Sequence, residues 1–290
     1  MKELVVISGK GGTGKTSVAA SFAVLADRPV VADCDVDAAD LHLVLSPRVK
    51  ERHEFMSGRE AIIRQADCTG CGACMECCRF DAVKMSGESS GAKKYEIDSV
   101  SCEGCGVCVR FCPEGAIDFP ERRCGEWMIS DTRCGPMVHA RLGVAAENSG
   151  KLVSTVRREA RRLAEEGGHP LIIVDGPPGI GCPVIASVTG ATVVLIVTEP
   201  TVSGEHDLER VLSLTRHFDI PAFVCVNKWD INAQMTERIE RKALQAGARV
   251  AGRIRYDRSV TLAQIQQKAV VEIEAPCAED IRQIWMSLAL

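Results

Sequence analysis

The sequence has no apolar run that approaches the roughly 18 residues a membrane-crossing helix needs. It has no long basic run, and its formal net charge is −4. Nucleic acid is therefore not an expected partner. No low-complexity linker divides the chain. The apolar stretch after Met1-Lys2-Glu3 is too short for a signal-peptide core, so a cytoplasmic location is expected. Against these absences stand 15 cysteines. Where thiols are kept reduced, so many read as metal ligands rather than as disulfides.

With 46% of its 290 residues hydrophobic, the chain can bury a large core. Residues 4–7 read as a buried strand and residues 8–16 as a glycine-rich loop. Val18, Phe22 and Leu25 then recur at helical spacing. Asp27-Arg28-Pro29 ends that helix, and residues 30–32 return as a strand. Strand, helix, strand in that order predicts a parallel sheet. From about Phe55 to Pro120 the rhythm is lost, which reads as an insertion. It resumes with Leu152, Val153, Val156, Ala160 and Leu163 on one helix face, ended by Gly167-Gly168. Strands are expected at 171–174, 193–197 and 223–226, and their unbroken apolar character suits a sheet covered on both faces. The expected fold is α/β, with a mostly parallel sheet formed by residues 1–54 and 121–290 and an α+β insert at 55–120.

Gly9-Lys10-Gly11-Gly12-Thr13-Gly14-Lys15-Thr16 fits the phosphate-loop pattern in full, between a strand and a helix. Such a loop turns backbone N–H groups towards phosphate at a helix N-terminus. Gly11, Gly12, Thr13, Gly14, Lys15, Thr16 and Ser17 are the expected nucleotide contacts. Lys15 should reach the outer phosphates, and Thr16 should ligate Mg²⁺.

The run Lys10-Gly11-Gly12-Thr13-Gly14-Lys15-Thr16 resembles the deviant phosphate loop of the MinD, ParA, Mrp and nitrogenase iron-protein group. That resemblance implies an ATP-dependent homodimer in which Lys10 reaches the partner's nucleotide. It makes Asp33-Cys34-Asp35 the first switch region, with Asp35 positioning or activating water. MinD proteins often have Asn where this chain has Asp40. Asp175, in Val174-Asp175-Gly176-Pro177-Pro178-Gly179, matches the carboxylate that holds Mg²⁺ through water. Asn227-Lys228-Trp229-Asp230 matches the guanine-reading motif of GTPases, but the equivalent Asn contacts adenine in MinD-like ATPases. Lys10 and the Gly-Pro-Pro-Gly after Asp175 favour ATP.

Cys68-x₂-Cys71-x₂-Cys74-x₃-Cys78 and Cys102-x₂-Cys105-x₂-Cys108-x₃-Cys112-Pro113 carry the bacterial ferredoxin spacing twice. Three close thiolates wrap one cubane, and the fourth lies beyond the loop's reach. One [4Fe–4S] cluster should therefore take Cys68, Cys71, Cys74 and Cys112, and the other Cys102, Cys105, Cys108 and Cys78. A pair of zinc sites is the competing reading, although zinc seldom uses this triple spacing. Cys78 is followed by Arg79-Phe80 rather than proline, and the adjacent Cys77 is a candidate substitute for it.

Cys34, Cys182 and Cys225 are expected as small buried hydrophobes. Cys124 and Cys134 remain a possible thiol pair, His139 a structural imidazole, and the tail at 281–290 a packing element. The whole chain resembles MinD-superfamily ATPases with an inserted ferredoxin domain. The implied function is ATP binding and hydrolysis, coupling ATP-driven dimerisation to electron transfer through two [4Fe–4S] clusters towards a redox or client protein. Two alternatives stay open: an Mrp-like iron–sulfur carrier or assembly ATPase, and a redox-sensing positioning or regulatory ATPase.

Overall fold

The computed structural model describes residues 1–89, 92–143 and 149–289. In chain order its elements begin with β1 (Lys2–Ser8), α1 (Lys15–Leu25), β2 (Val30–Asp33), α2 (Leu41–Leu45) and β3 (Arg48–Arg59). Next come β4 (Ile62–Ile63), α3 (Ala73–Cys77), β5 (Val83–Ser89), β6 (Ala92–Ile97), α4 (Val107–Phe111) and β7 (Ile117–Asp118). After these follow β8 (Glu121–Asp131), β9 (Pro136–Leu142), α5 (Ser149–Gly167), β10 (Leu171–Pro178), α6 (Cys182–Val188) and β11 (Val193–Thr198). The chain closes with α7 (Val202–His217), β12 (Ala222–Asn227), α8 (Ala233–Gln245), β13 (Arg249–Ile254), α9 (Ser259–Ile265) and α10 (Pro276–Ser287).

Two compact units emerge. The first comprises Met1–His53, Glu126–Arg141 and residues 149–289. The second comprises Glu54–Gly125 with Leu142 and Gly143. The divisions at 53/54 and 125/126 fall inside β3 and β8.

Nine strands share one sheet in the order β13-β12-β11-β1-β10-β2-β9-β8-β3. From β13 to β9 every pairing is parallel. A turn at Thr132 and Gly135 joins β8 to β9, each residue's N–H donating to the other's carbonyl, at 3.0 and 3.4 Å. Leu4 and Val6 of β1 pack in one core with Val18 and Phe22 of α1 and Ile281 and Ile284 of α10. Side chains alternate along a strand, so Val5 and Ile7 face the other side, and they too are fully buried. Both faces are therefore covered, as the continuous apolar strands require. The tail packs: Trp285 lies 5.0 Å from Phe22, ring centre to ring centre, and Ile281, Ile284 and Leu288 are buried.

Helix α5 buries Leu152, Val153, Val156, Ala160 and Ala164, whereas Leu163 is only half-buried. Arg157 lies on the same buried stripe, which the hydrophobic pattern did not foresee. Its Nε donates to Glu3 at 2.8 Å, and one terminal nitrogen donates to the Ala186 and Thr189 carbonyls at 2.7 and 2.9 Å. A buried charge persists only when paired and hydrogen-bonded in this way.

The second unit contains the antiparallel pairs β4–β7 and β5–β6 and the short helices α3 and α4. Its core is Ala61, Ile63, Cys74, Val83, Tyr95 and Ile117, ringed by half-buried Cys68, Cys78, Cys102, Cys108 and Cys112. This cluster is small for an independent unit, and small units commonly draw added stability from metals or cross-links.

Candidate functional site

The phosphate loop joins β1 to α1, where a buried strand releases the chain into the first helical turn. Gly14 caps α1 at φ 89, and a Cβ there would stand 2.4 Å from the Asn227 amide nitrogen, so any side chain would be strained and would displace Asn227. The loop opens on a cleft of about 860 Å³. Gly11, Gly12, Thr13, Gly14, Lys15, Thr16, Ser17, Asp35, Asp40 and Asn227 all line it.

Lys15 is 6% exposed and turns inward. Its Nζ donates to Asp35 Oδ2 at 3.0 Å, to Asp175 Oδ1 at 3.0 Å and to Thr16 Oγ1 at 3.3 Å. Strand register brings a third carboxylate close: Asp33 pairs with Asp175 across β2 and β10, and Asp33 Oδ1 accepts the Asp35 N–H at 3.2 Å. Burial opposes the charge on Lys15, but Asp175 and then Asp35 outweigh it and hold the ammonium above its usual pKa. Burial pushes Asp33 and Asp175 above the usual carboxylate range. One ammonium thus faces three carboxylates. Asp33 Oδ2, Asp175 Oδ2 and Thr13 Oγ1 are buried without a hydrogen-bond partner. Orphaned oxygens beside unbalanced negative charge suit a hard divalent cation, which takes oxygen ligands. Asp175 sits beneath Lys15 and does not line the cleft.

Lys10 lies elsewhere. Its ammonium pairs with the Glu199 carboxylate and donates to Ser203 Oγ at 3.0 Å and to Thr201 Oγ1 at 3.4 Å. Lys228 holds the other Glu199 oxygen at 3.2 Å and donates to the Gly12 carbonyl at 3.2 Å. Asn227 Nδ2 donates to the Thr13 carbonyl at 2.7 Å, and its Oδ1 accepts the Lys228 N–H at 2.9 Å. Asp230 accepts the Tyr256 N–H at 2.7 Å and does not line the cleft. The far wall carries Arg255, Tyr256, Val260 and Gln264, none of them in a motif. Arg255 is committed to Asp280, at 2.8 Å for each of two bonds.

The model of the CobQ/CobB/MinD/ParA nucleotide-binding domain matches residues 4–270. The chain belongs to that family. An uncharacterized protein of Methanocaldococcus jannaschii, MJ0578, is 33% identical over 233 residues, covering 79% of each chain. Among solved structures, the cell division ATPase MinD of Pyrococcus furiosus superimposes with a TM-score of 0.59 at 16% identity, covering 99% of this chain and 98% of its own. The septum site-determining protein MinD of Pyrococcus horikoshii, complexed with Mg-ADP, gives 0.59 at 16% identity, covering 99% and 95%. The chain therefore has the MinD/ParA α/β phosphate-loop fold. Among its described residues, no helix is long and apolar enough to cross a membrane.

The cysteines divide between two small cavities in the second unit. Cys68, Cys71, Cys74 and Cys112 line one of them, with Ile63, Tyr95 and Ile117. Cys77, Cys78, Cys102, Cys105 and Cys108 line the other, with Ala61, Val83 and Ile97. Among the described residues, no three His, Cys, Asp or Glu converge as the ligands of a single metal ion do. Cys112 Sγ accepts the Ala116 N–H at 3.3 Å. Burial raises the Cys108 thiol to about 11, assisted by its neighbours Cys77, Cys102 and Cys105.

The other cysteines separate as follows. Cys34, Cys225 and Cys277 are buried. Cys182 is exposed rather than buried: it opens α6, whose inner face is Val184, Ser187 and Val188. Cys124 is buried and donates to the Ser57 carbonyl at 2.9 Å, while Cys134 is half-buried in the β8–β9 turn. His139 is structural: it is buried on β9 with Nε2 2.8 Å from Ser130 Oγ.

Proposed function

We propose that this protein binds and hydrolyses ATP and couples ATP-driven dimerisation to electron transfer through two [4Fe–4S] clusters. Residues 55–120 act as an inserted ferredoxin-like domain in this reading. One observation carries it: each cavity collects three cysteines of one run and the fourth of the other. That crossed grouping is what two-cluster ferredoxin spacing demands.

The nucleotide chemistry follows from the charges around Lys15. The N–H groups at the head of α1 receive the phosphates, which compete with Asp35 and Asp175 for the ammonium. Lys15 then faces the outer phosphates, and both carboxylates are freed. Thr16 and Asp175 would hold Mg²⁺, which supplies charge neutralisation when bound. Asp35 orients the attacking water, whose oxygen bonds the γ-phosphorus as the bond to the β-phosphate oxygen breaks. Asp230 does not line the cleft, where a guanine-reading carboxylate would have to stand, which supports ATP.

For the clusters, Cys68, Cys71, Cys74 and Cys112 would hold one, and Cys102, Cys105, Cys108 and Cys78 the other. Each supplies one-electron storage when bound. The apolar residues of both cavities shield the inner side of each site, while Cys71 and Cys105 stay exposed at its outer side.

The test is protein purified without oxygen. About eight irons and about eight sulfides per chain are expected, with Cys102→Ser losing one cluster selectively. ATP affinity is then measured on oxidised and reduced protein. Coupling must be reciprocal, so a potential shifted by ATP requires an affinity shifted by reduction, of about 5- to 150-fold for ordinary coupling. Equal affinities would remove the coupling between ATP and electron transfer, and zinc without sulfide would remove the clusters.

A further inference from the structure

The two cysteine runs are a repeat, so their corresponding positions can be compared. Cys78 and Cys112 each follow a short helix, α3 or α4, and each is extended, at φ −77, ψ 118 and φ −72, ψ 113. One residue earlier the runs diverge. Phe111 is 65% exposed and takes no part in the cavity that Cys112 lines. Cys77, at the same position, is half-buried and lines the cavity of Cys78, Cys102, Cys105 and Cys108. Its thiol donates to the Cys74 carbonyl at 3.4 Å. Two consecutive thiols therefore reach one cavity where three partners already stand.

We propose that this cavity is a five-thiol site in which Cys77 and Cys78 are alternative fourth ligands. The proposal rests on the iron–sulfur reading above. When Cys77 replaces Cys78, the Cys77 thiol releases its proton, and the Cys78 sulfur, freed from iron, takes one up. No electron moves and no co-reactant is needed. The first cavity has no such reserve, because Phe111 occupies the corresponding place.

The test compares full-length wild-type protein with Cys78→Ala, Cys77→Ala, the Cys77→Ala/Cys78→Ala double variant and Cys112→Ala, all prepared without oxygen. Iron, sulfide and the EPR spectrum of the reduced protein are measured. Wild type and both single variants should hold about eight irons, and the double variant and Cys112→Ala about four. Cys78→Ala should also show an altered signal from one cluster. Cys78→Ser, closer in shape, repeats the measurement if the alanine variant does not fold. A fall to about four irons in both Cys78 variants, as in the double variant, overturns the proposal. So does a fall in Cys77→Ala, which would make Cys77 the sole ligand. So does retention in Cys112→Ala, which has no neighbouring thiol. Wild-type protein without sulfide overturns the iron–sulfur reading itself, and the two failures are thereby distinguishable.

Discussion

Lys10 and Lys228 grip the two oxygens of one carboxylate, that of Glu199, within a single chain. Lys10 is thus held in cis, while the dimer that the resemblance implies would use it in trans. The pair must open before the partner is reached. The pair is half-buried at the surface, where ion pairs contribute about 0.2–1 kcal/mol. A homodimer opens two such pairs, so Glu199→Gln should lower the protein concentration needed for ATP-dependent dimerisation by up to about 30-fold. Lys10→Ala should bind ATP without dimerising. Sedimentation with a slowly hydrolysed analogue reads both, and unchanged dimerisation in both variants would show that Lys10 has no part in assembly.

Lys15→Ala should weaken nucleotide binding severely, because it deletes the cation facing the outer phosphates. It should also destabilise the nucleotide-free protein, since breaking a buried pair by removing one partner costs about 3–5 kcal/mol. Asp33 and Asp175 sit above their ordinary value of 3.8. Above that value the folded state holds protons that the unfolded state has released, so stability falls as pH rises towards the raised folded values. The variant's deficit should accordingly be smallest in acid and grow with pH. Thermal melts across pH, with and without Mg-ATP, measure it, and a deficit independent of pH would argue against the carboxylate cluster.

Gly104→Ala should cost one cluster. Gly104 has φ +61, and a Cβ there would stand 2.3 Å from the Arg59 carbonyl oxygen. The left-handed conformation alone costs a non-glycine residue roughly 1–2 kcal/mol, and the backbone contact adds to it. Iron should fall from about eight to about four per chain. Full retention would mean that this loop does not shape the site.

Burial lowers the His139 pKa from 6.5 to about 4, so the folded protein keeps the imidazole neutral. Its contribution is complete above about pH 6.5 and is lost as pH falls towards about 4. A shift of this size is on the order of 3 kcal/mol. His139→Gln should flatten that part of the stability profile. Chemical denaturation of both proteins across that window is the measurement, and parallel profiles would exclude His139 as the cause.

The phosphate loop was legible because its chemistry needs contiguous residues. Asp35 and Asp175 were legible because each follows an apolar run in a short recognisable motif, although β10 continues past Asp175 to Pro178 and β2 ends at Asp33. What they do together was not, because it depends on β10 lying between β1 and β2. That strand order sets Asp33 beside Asp175. Glu199 and Ser203 are separated from Lys10 by 189 and 193 residues, and only the fold makes them its partners. The β8–β9 hairpin escaped notice because a strand with one exposed side carries polar residues such as Glu121, Arg123 and Arg141. Cys182 was misjudged from its apolar neighbours, which describe the inner face of α6 and not its first residue.

Cys182 also gives the experimenter a handle. Of the three exposed thiols, Cys71 and Cys105 belong to the two cysteine-lined cavities. Cys182 stands apart from them, a few residues beyond Asp175, at the start of the helix that follows the Pro177-Pro178-Gly179 turn. A maleimide dye added to holoprotein would meet this sulfur first, because Cys34, Cys124, Cys225 and Cys277 are buried and Cys77 and Cys134 are half-buried. The molecule therefore brings its own attachment point for a fluorescent reporter of nucleotide turnover, with no cysteine to introduce.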